Sequence, residues 1–283
     1  MREEDLRKAG RNIRLIVCDL DGTLLDSRKT ISPENLAALR AAQEKGIFVT
    51  ICSGRVHTML ETYSRRLALR GPLIASNGAV IFDTRTGGIS RLNKADPDPV
   101  YRLLRFCQDR GMDHIAATSG GCWYSRGSQR IARFEQYNEL AKTEGLPLIP
   151  LRPFGSDYRE ALEGDIYKAL ISGLSPEEQA ETGEYIRSVN LSVTSSEKGL
   201  LDVSAPGVNK GEGVRLLGEL LGVEKSGICV FGDYWNDIPM MEQAGLSVAM
   251  GNADETVKRR ALTVTASNDE DGVARAIRRY ILQ

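Results

Sequence analysis

The chain has 283 residues, 41% of them hydrophobic and 27% charged, and its formal net charge is -1. That balance argues against nucleic acid or an acidic membrane surface as the main partner, because both select an excess of Lys and Arg on one face. No apolar run is long enough to span a membrane. The charged N-terminal stretch MREEDLRKAGRN predicts neither a signal peptide nor an anchor, so we expect a cytoplasmic location.

The cysteines and histidines limit the metal chemistry that the chain can support. No CxxC pair occurs, and Cys18, Cys52 and Cys229 lie within or at the end of apolar runs, which predicts reduced, buried thiols. With only His57 and His114 available, a zinc site of Cys and His is not expected. Any metal is therefore expected to be a hard cation held by oxygen ligands.

The first third of the chain alternates apolar runs with helical patterns. The predicted elements are a strand at 15–18, a helix at 33–45, a strand at 47–53, a helical stretch to about residue 69, and two short strands within 73–82. Ser32 and Pro33 give the first helix a cap and a proline at its first position. Asn77-Gly78 is a turn signal between the two short strands. The alternation predicts a parallel sheet with helical crossovers.

Between about residues 85 and 204 the strands alternate apolar and polar residues, and turn residues multiply. Helices are predicted at 97–110, 129–142 and 176–188, and strands at 114–118, 122–125, 166–172, 191–194 and 200–204. Solidly apolar runs return at 227–233, 246–250 and 262–265, before a last helix. We therefore predict an α/β fold in which residues 1–84 and 205–283 form a doubly wound parallel-sheet core, and residues 85–204 form an inserted α+β domain with an antiparallel sheet.

Two aspartates, Asp19 and Asp21, end the first apolar run in LIVCDLDGTLLDS. An Asp-Gly turn leaving a strand is a common explanation. An EF-hand calcium loop is excluded, because it needs glycine at its sixth position, where this chain has Leu24. The other explanation is a metal and nucleophile site. Ligands of open parallel sheets bind at the carboxyl ends of the strands, where Asp19, Ser53 and Asp233 all lie, so we expect these residues to be neighbours.

Taken singly, the other candidate motifs also have plain structural explanations. SGR at 53–55 could be a turn, Lys210 a solvated surface lysine, and GDYWNDIPM at 232–240 a strand exit with a helix cap. These explanations account poorly for four such features in one chain, three of them at strand ends of one sheet.

Together, DLDGTLLD, SGR, the lysine of VNKGEG and GDYWND resemble, in order and spacing, the four motifs of the haloacid dehalogenase superfamily. SNGA, MGNA, SNDEDGVARAI and the large insertion between the second and third motifs resemble its Cof-type phosphatase branch. The resemblance spans the core on both sides of the insertion, whereas the insertion matches a cap only in size and style. It implies a Mg²⁺-dependent phosphatase of small phosphorylated metabolites, most commonly sugar phosphates, that forms an aspartyl phosphate beneath a cap domain.

The resemblance also implies the roles of the acidic residues. Asp19 matches the nucleophile, and Asp21 matches the general acid and base. The Asp19 carboxylate, the Asp21 backbone carbonyl and Asp233 match the magnesium ligands. Asp237 matches an orienter of the metal site.

The phosphate-binding residues follow from the same resemblance. Ser53 and Gly54 match a turn that holds phosphate through a hydroxyl and a backbone N–H. Lys210 matches the charge that stabilises the transition-state oxygens, and Asn236 matches a phosphate contact. Arg55 is left open between this turn and a surface ion pair.

Other functions remain compatible with parts of the pattern. A phosphotransferase or phosphomutase would pass the phosphoryl group to another hydroxyl through the same motifs. A phospho-acceptor switch also uses strand-end aspartates, Mg²⁺ and a lysine, but the large insertion and Asp21 argue against it. A binding protein without turnover is disfavoured, because every catalytic element is present. Trp123 and Tyr124 are expected either to line a substrate pocket or, more commonly, to pack in a hairpin.

Overall fold

The computed structural model describes residues 2–283, which contain fourteen strands and ten α-helices. The strands are β1 (Leu15–Cys18), β2 (Phe48–Ile51), β3 (Pro72–Ala75), β4 (Val80–Asp83), β5 (Gly88–Leu92), β6 (Asp113–Thr118), β7 (Gly121–Tyr124), β8 (Leu151–Pro153), β9 (Ile166–Ser172), β10 (Ser192–Thr194), β11 (Leu201–Ser204), β12 (Ile228–Gly232), β13 (Leu246–Ala249) and β14 (Thr263–Val264). The helices are α1 (Glu3–Gly10), α2 (Pro33–Glu44), α3 (Glu61–Arg66), α4 (Pro97–Asp109), α5 (Ala132–Glu144), α6 (Pro176–Ser188), α7 (Lys210–Leu221), α8 (Ile238–Met241), α9 (Glu255–Arg260) and α10 (Gly272–Ala276).

A parallel sheet with the strand order β14-β13-β12-β1-β2 forms the core. Alternate side chains of β1 enter two different apolar clusters: Leu15 and Val17 pack with the cluster that includes residues of α7, and Ile16 and Cys18 pack with the cluster that includes residues of α2. A strand covered by helices on both faces needs apolar residues at every position, which explains the uninterrupted run LIVC. The predicted doubly wound α/β core is confirmed.

The two short strands predicted around Asn77-Gly78 are present, but the first of them, β3, pairs mainly outside the parallel sheet. β3 pairs antiparallel with β4, and β4 with β5, in a separate three-stranded sheet. An isolated parallel bridge between Cys52 and Ile74 links β3 to the parallel sheet. Pro72 has no N–H to donate to β2, and its carbonyl accepts instead from the Thr50 hydroxyl at 2.7 Å. β3 therefore runs parallel to β2, as predicted, but its regular ladder is with β4.

The inserted segment contains a six-stranded sheet with the order β10-β11-β9-β6-β7-β8, antiparallel except between β7 and β8. The predicted antiparallel sheet is confirmed, and α6 and β9 have the predicted bounds. Helix α5 begins three residues later than predicted, at Ala132. Strands β5 and β8 were not predicted, because most of their residues are exposed or half-buried and carry no apolar signal.

Both Ser-Pro-Glu sequences begin helices as predicted. The Ser32 hydroxyl accepts from the backbone N–H of Asn35 at 3.1 Å, so it caps α2. Ser175 and Glu178 form a reciprocal capping box at the start of α6.

All five cysteines are buried and free, which confirms the prediction made for Cys18, Cys52 and Cys229. Among residues 2–283, no helix combines the length and apolar character that a membrane crossing requires.

Candidate active site

The carboxyl ends of β1, β2 and β12 bring three predicted site residues to one edge of the core sheet. The parallel ladder continues one residue beyond β1, where the N–H of Asp19 donates to the Phe231 carbonyl at 3.0 Å. On the other side, the N–H of Cys52 donates to the Cys18 carbonyl at 2.9 Å, so Ser53 follows directly. Asp233 follows Gly232, the last residue of β12. The expected proximity of these strand ends is confirmed.

Lys210, the first residue of α7, lies beneath this edge and links two carboxylates. Its side chain is only 1% exposed, with Nζ 2.5 Å from Asp19 Oδ1 and 2.6 Å from Asp237 Oδ1. Burial disfavours the ammonium charge, but the two carboxylates outweigh burial and raise the pKa of Lys210 above its usual value. The alternative of a solvated surface lysine was wrong, and a permanent positive charge lies beside Asp19.

Asp237 holds the loop after β12 in place. Its Oδ2 accepts from the backbone N–H groups of Asp233, at 2.8 Å, and Tyr234, at 3.0 Å. Gly232 leaves room for this carboxylate, since a Cβ there would lie 2.5 Å from the Asp237 Cβ. Both Asp237 oxygens are therefore engaged by groups of the protein itself.

Asp19, Asp233 and Asp237 each place one carboxylate oxygen within 4.8 Å of the others. Burial, followed by the charge of Asp237, raises the pKa of Asp233 to about 7, although the Thr23 hydroxyl donates to it at 2.7 Å. Hydrogen bonds within the described chain engage one oxygen each of Asp19 and Asp233, but both of Asp237. An all-oxygen donor set with more negative than positive charge fits a hard divalent cation, and Asp19 and Asp233 have oxygens free for it.

Asp21 is clamped by cations from two loops. Arg55 forms a two-point contact with its carboxylate at 2.9 and 2.8 Å, and Lys29 Nζ lies 3.0 Å away. Burial would raise the pKa of Asp21, but the bonds and charge of Arg55, and the charge of Lys29, hold it well below its usual range. The Arg55 side chain is 14% exposed and also donates to the Tyr63 hydroxyl at 3.1 Å. Arg55 is thus a half-buried neighbour of the site, and the ion pair that it forms is with Asp21.

The SNGA segment supports the turn formed by Ser53, Gly54 and Arg55. Asn77 N–H donates to the Ser53 carbonyl at 3.0 Å, and Ser76 N–H donates to the Arg55 carbonyl at 2.8 Å. Ser76 and Asn77 adopt left-handed backbone angles, with φ of 50° and 54°, which place both N–H groups toward the turn.

The side chain of Asn77 extends this support to the loop after β12. Its Oδ1 accepts from Asn236 Nδ2 at 3.2 Å. The sequence singled out SNGA as a motif, but it did not predict this contact between two loops of the site.

A cavity lies between these loops and the inserted sheet. Five predicted site residues line it, namely Asp19, Asp21, Ser53, Gly54 and Asn236, while Lys210, Asp233 and Asp237 contact Asp19 or one another just beyond the lining. The structure therefore brings all eight predicted site residues together. The catalytic and binding roles assigned to them remain predictions.

The inserted segment supplies cavity residues that the sequence did not predict. They are charged or polar, namely Arg130, Arg133, Lys168, Ser196, Glu197 and Asp202, or apolar, namely Phe134 and Leu170. A lysine within the buried strand IYKALIS and an aspartate within LDVS were the available signals, because charged residues rarely occupy buried strand positions without a partner.

Trp123 and Tyr124 are not among the residues that line this cavity. Trp123 is buried, with the Arg152 guanidinium 5.3 Å from its ring centroid, and Tyr124 is half-buried. Hairpin packing between β6 and β7 describes this pair.

Three comparisons with known proteins agree with this arrangement. The sequence profile of the haloacid dehalogenase-like hydrolases matches residues 16–277. The chain is 31% identical over 271 residues to the 5-amino-6-(5-phospho-D-ribitylamino)uracil phosphatase YcsE of Bacillus subtilis, covering 96% of this chain and 97% of that protein. It is 29% identical over 272 residues to the pyridoxal phosphate phosphatase YbhA of Escherichia coli, covering 95% and 99%.

A solved structure of a haloacid dehalogenase-like hydrolase from Bacillus subtilis matches the fold with a TM-score of 0.81 at 27% identity, covering 94% of this chain and 99% of that one. Relatives that span the whole length and are named as phosphatases also give the enzyme class, which is phosphatase. The chain therefore belongs to the haloacid dehalogenase-like hydrolases, in their Cof-type phosphatase branch.

Proposed function

We propose that this protein is a Mg²⁺-dependent phosphatase that hydrolyses a small phosphorylated metabolite, with a sugar phosphate as the first candidate, through an aspartyl phosphate on Asp19. The observation that supports this most directly is the buried bridge of Lys210 between Asp19 and Asp237, below a cavity lined by Ser53 and Gly54. In this proposal residues 1–84 and 205–283 are the catalytic core, and residues 85–204 are the cap that covers the substrate.

In the first step an Asp19 oxygen attacks phosphorus and the leaving alkoxide departs. The Ser53 hydroxyl, the Gly54 N–H and the Asn236 amide hold the phosphoryl oxygens, and Lys210 offsets the negative charge that accumulates on them. Asp19, Asp233 and the Asp21 carbonyl would hold Mg²⁺, which when bound offsets the repulsion between the nucleophile and the anionic phosphate. Asp237 keeps Asp233 and Lys210 in position.

Asp21 serves both steps by moving a proton. It gives a proton to the leaving oxygen, and it then takes one from the water that attacks the aspartyl phosphate. The contact with Arg55 favours the ionised form, which is the base that the second step requires. The first step requires the protonated form, so we expect Asp21 to separate from Arg55 before the leaving oxygen is protonated.

The relatives guide the choice of substrates for the test. The Bacillus protein is named for a ribityl phosphate attached to a uracil ring, and the Escherichia coli protein is named for pyridoxal phosphate. Here the cavity combines apolar side chains, such as Phe134 and Leu170, with the charged pair of Arg130 and Glu197. Small phosphate esters with and without a flat ring are therefore the informative panel.

The test is phosphate release from sugar phosphates, nucleotides and cofactor phosphates, measured with Mg²⁺ and again with EDTA. We expect release from one or a few of these esters, abolished by EDTA and by Asp19→Asn. A folded protein that releases no phosphate from the panel would contradict the proposal. Release that rises when an acceptor alcohol is added, together with formation of a phosphorylated alcohol, would instead identify a phosphotransferase.

A further inference from the structure

The turn of Ser53, Gly54 and Arg55 has all three of its carbonyls engaged, and one partner comes from the inserted segment. The two outer carbonyls accept from backbone N–H groups of the neighbouring SNGA loop, as described above. The middle carbonyl, of Gly54, accepts from Lys168 Nζ at 2.8 Å. Lys168 lies on β9, in the inserted sheet, so this bond joins that sheet directly to the turn.

The Gly54 carbonyl belongs to the peptide unit that orients the Ser53 hydroxyl. The N–H of that unit, on Arg55, donates to Ser53 Oγ at 3.3 Å. A hydroxyl that accepts from this N–H keeps its own proton free to donate to a phosphate oxygen. The bond from Lys168 therefore fixes the peptide that prepares the turn for phosphate.

Lys168 is held in a way that suits this task. It is 4% exposed and forms an ion pair with Asp202 on β11, and the other Asp202 oxygen accepts from the Ser196 hydroxyl at 2.6 Å. A buried ion pair within one sheet contributes little net stability, since apolar residues of similar size often replace such pairs without loss. The bond from Lys168 to the Gly54 carbonyl is a contact that an apolar residue at position 168 could not make.

We propose that Lys168 is a positioning residue that makes the order of the Ser53–Gly54–Arg55 turn depend on contact between the inserted domain and the core. When the domain lies against the core, the Lys168 ammonium fixes the Gly54 peptide, and the turn is ready to hold phosphate. When the domain moves away, that bond is lost and the turn holds phosphate less tightly. That the turn binds phosphate depends on the proposed function. That contact with the inserted domain orders the turn does not depend on it.

The first test needs no substrate. Hydrogen–deuterium exchange of the backbone amides at residues 52–56 is compared between the wild type, Asp202→Asn, and the double variant Lys168→Met with Asp202→Asn. The double variant leaves no unpaired buried charge, and Asp202→Asn removes the ion pair but keeps the donor to Gly54. A matched control is Lys142→Met, which removes an exposed lysine of the inserted segment that pairs with Glu139.

We expect the turn amides of the double variant to exchange about fivefold faster, the factor that corresponds to one hydrogen bond of about 1 kcal/mol. Asp202→Asn and Lys142→Met are expected to stay near the wild type. Unchanged exchange in a double variant that retains its far-ultraviolet circular dichroism would overturn the proposal. Equal acceleration in Asp202→Asn would also overturn it, because the ion pair rather than the bond to Gly54 would then order the turn.

The second test separates positioning from direct contact with the leaving group, since Lys168 also lines the cavity. For the double variant we expect kcat/KM to fall about 10- to 100-fold, as on loss of an outer hydrogen-bond partner, and by the same factor for p-nitrophenyl phosphate and glucose 6-phosphate. Inhibition by inorganic phosphate should weaken in parallel.

A loss confined to one ester, with phosphate inhibition unchanged, would mean that Lys168 contacts the leaving group and would overturn the positioning role. If the wild type hydrolyses no ester, the proposed phosphatase mechanism fails, and the exchange experiment alone decides the inference.

Discussion

The two sides of the cavity are built differently. On the core side, Asp19 and Asp237 are fixed by backbone groups or by a buried cation: Asp237 accepts two backbone N–H groups, and Lys210 is 1% exposed between the two aspartates. On the inserted side, Arg133 is 33% exposed and lies 3.4 Å from Glu197, whose side chain is 39% exposed. Rigid, buried placement is what a charged transition state requires, whereas partly exposed side chains are free to adapt to different leaving groups.

This comparison suggests that the two sides of the cavity have different roles. In the proposed mechanism the core side fixes the phosphoryl group and the nucleophile, so changes there should lower the rate with every ester. The inserted side meets the rest of the substrate, so changes there should depend on the ester used. Lys168 is the exception that the structure offers, since it belongs to the inserted sheet but bonds to the core.

The largest effect is expected for Asp19→Asn. The amide is nearly the same size but is not a nucleophile, so phosphate release should fall by about 10⁴-fold or more with every ester. Burial raises the pKa of Asp19 despite the opposing charge of Lys210, so an ionised Asp19 costs stability as the pH rises through that pKa. A neutral side chain avoids that cost, and thermal unfolding at neutral pH should show no loss of stability. Substantial residual activity would exclude the covalent mechanism.

Lys210→Met should have the next largest effect. Losing a preorganised charge beside the nucleophile is expected to cost about 3 kcal/mol of transition-state stabilisation, or about 100-fold in kcat. Asp19 and Asp237 also lose their shared partner, so the free energy of unfolding should fall by about 3 kcal/mol. Steady-state kinetics and urea unfolding measure the two effects. The control is Lys225→Met, at an exposed position outside the inserted segment. Equal kcat and stability in the two variants would show that Lys210 does not act in catalysis.

The difference between the two sides also explains what the sequence could predict. Core strands buried on both faces are continuous apolar runs, and the polar residues that end them, such as Asp19 and Ser53, are visible in the sequence. Pairing across long separations leaves no such local signal: Lys168 and Asp202 are 34 positions apart, and Lys168 and Gly54 are 114 apart.

Backbone geometry is a second reason for incomplete prediction. The role of SNGA depends on left-handed angles at Ser76 and Asn77, which aim their N–H groups at the turn. The sequence indicates a turn there, but it does not show which carbonyls the turn will meet. Strand β5 was not predicted because its residues are exposed or half-buried, so burial requires no pattern of apolar residues in its sequence.

A smaller effect is expected when metal binding is disturbed. If Asp233 holds Mg²⁺, then Mg²⁺ at about 100 times its Kd should stabilise the folded wild type by about 2.7 kcal/mol, and EDTA should reverse this. Asp233→Asn should lose most of this Mg²⁺-dependent shift in thermal unfolding, whereas Glu224→Gln, at an exposed core position, should keep it. A shift of equal size in Asp233→Asn would place the cation elsewhere.

The smallest effect is expected on the inserted side, for Arg133→Met. Arg133 is a third exposed and already faces Glu197, so its contribution to binding is that of a partly solvated charge, about 1 kcal/mol or roughly fivefold in KM. The rise in KM should differ among esters, because Arg133 would meet the leaving group, while kcat and inhibition by inorganic phosphate stay near wild type.

The matched control for that change is Arg126→Met, an exposed arginine of the same inserted segment that is not among the cavity-lining residues. KM values of Arg133→Met for a panel of esters distinguish two possible roles of Arg133. A fivefold change that varies with the ester assigns substrate choice to the inserted side. A uniform fall in kcat, with weaker inhibition by phosphate, would instead show that Arg133 acts on the phosphoryl group, because only that part is common to every substrate. The inserted side would then share the chemistry of the core, and the contrast between the two sides would not hold.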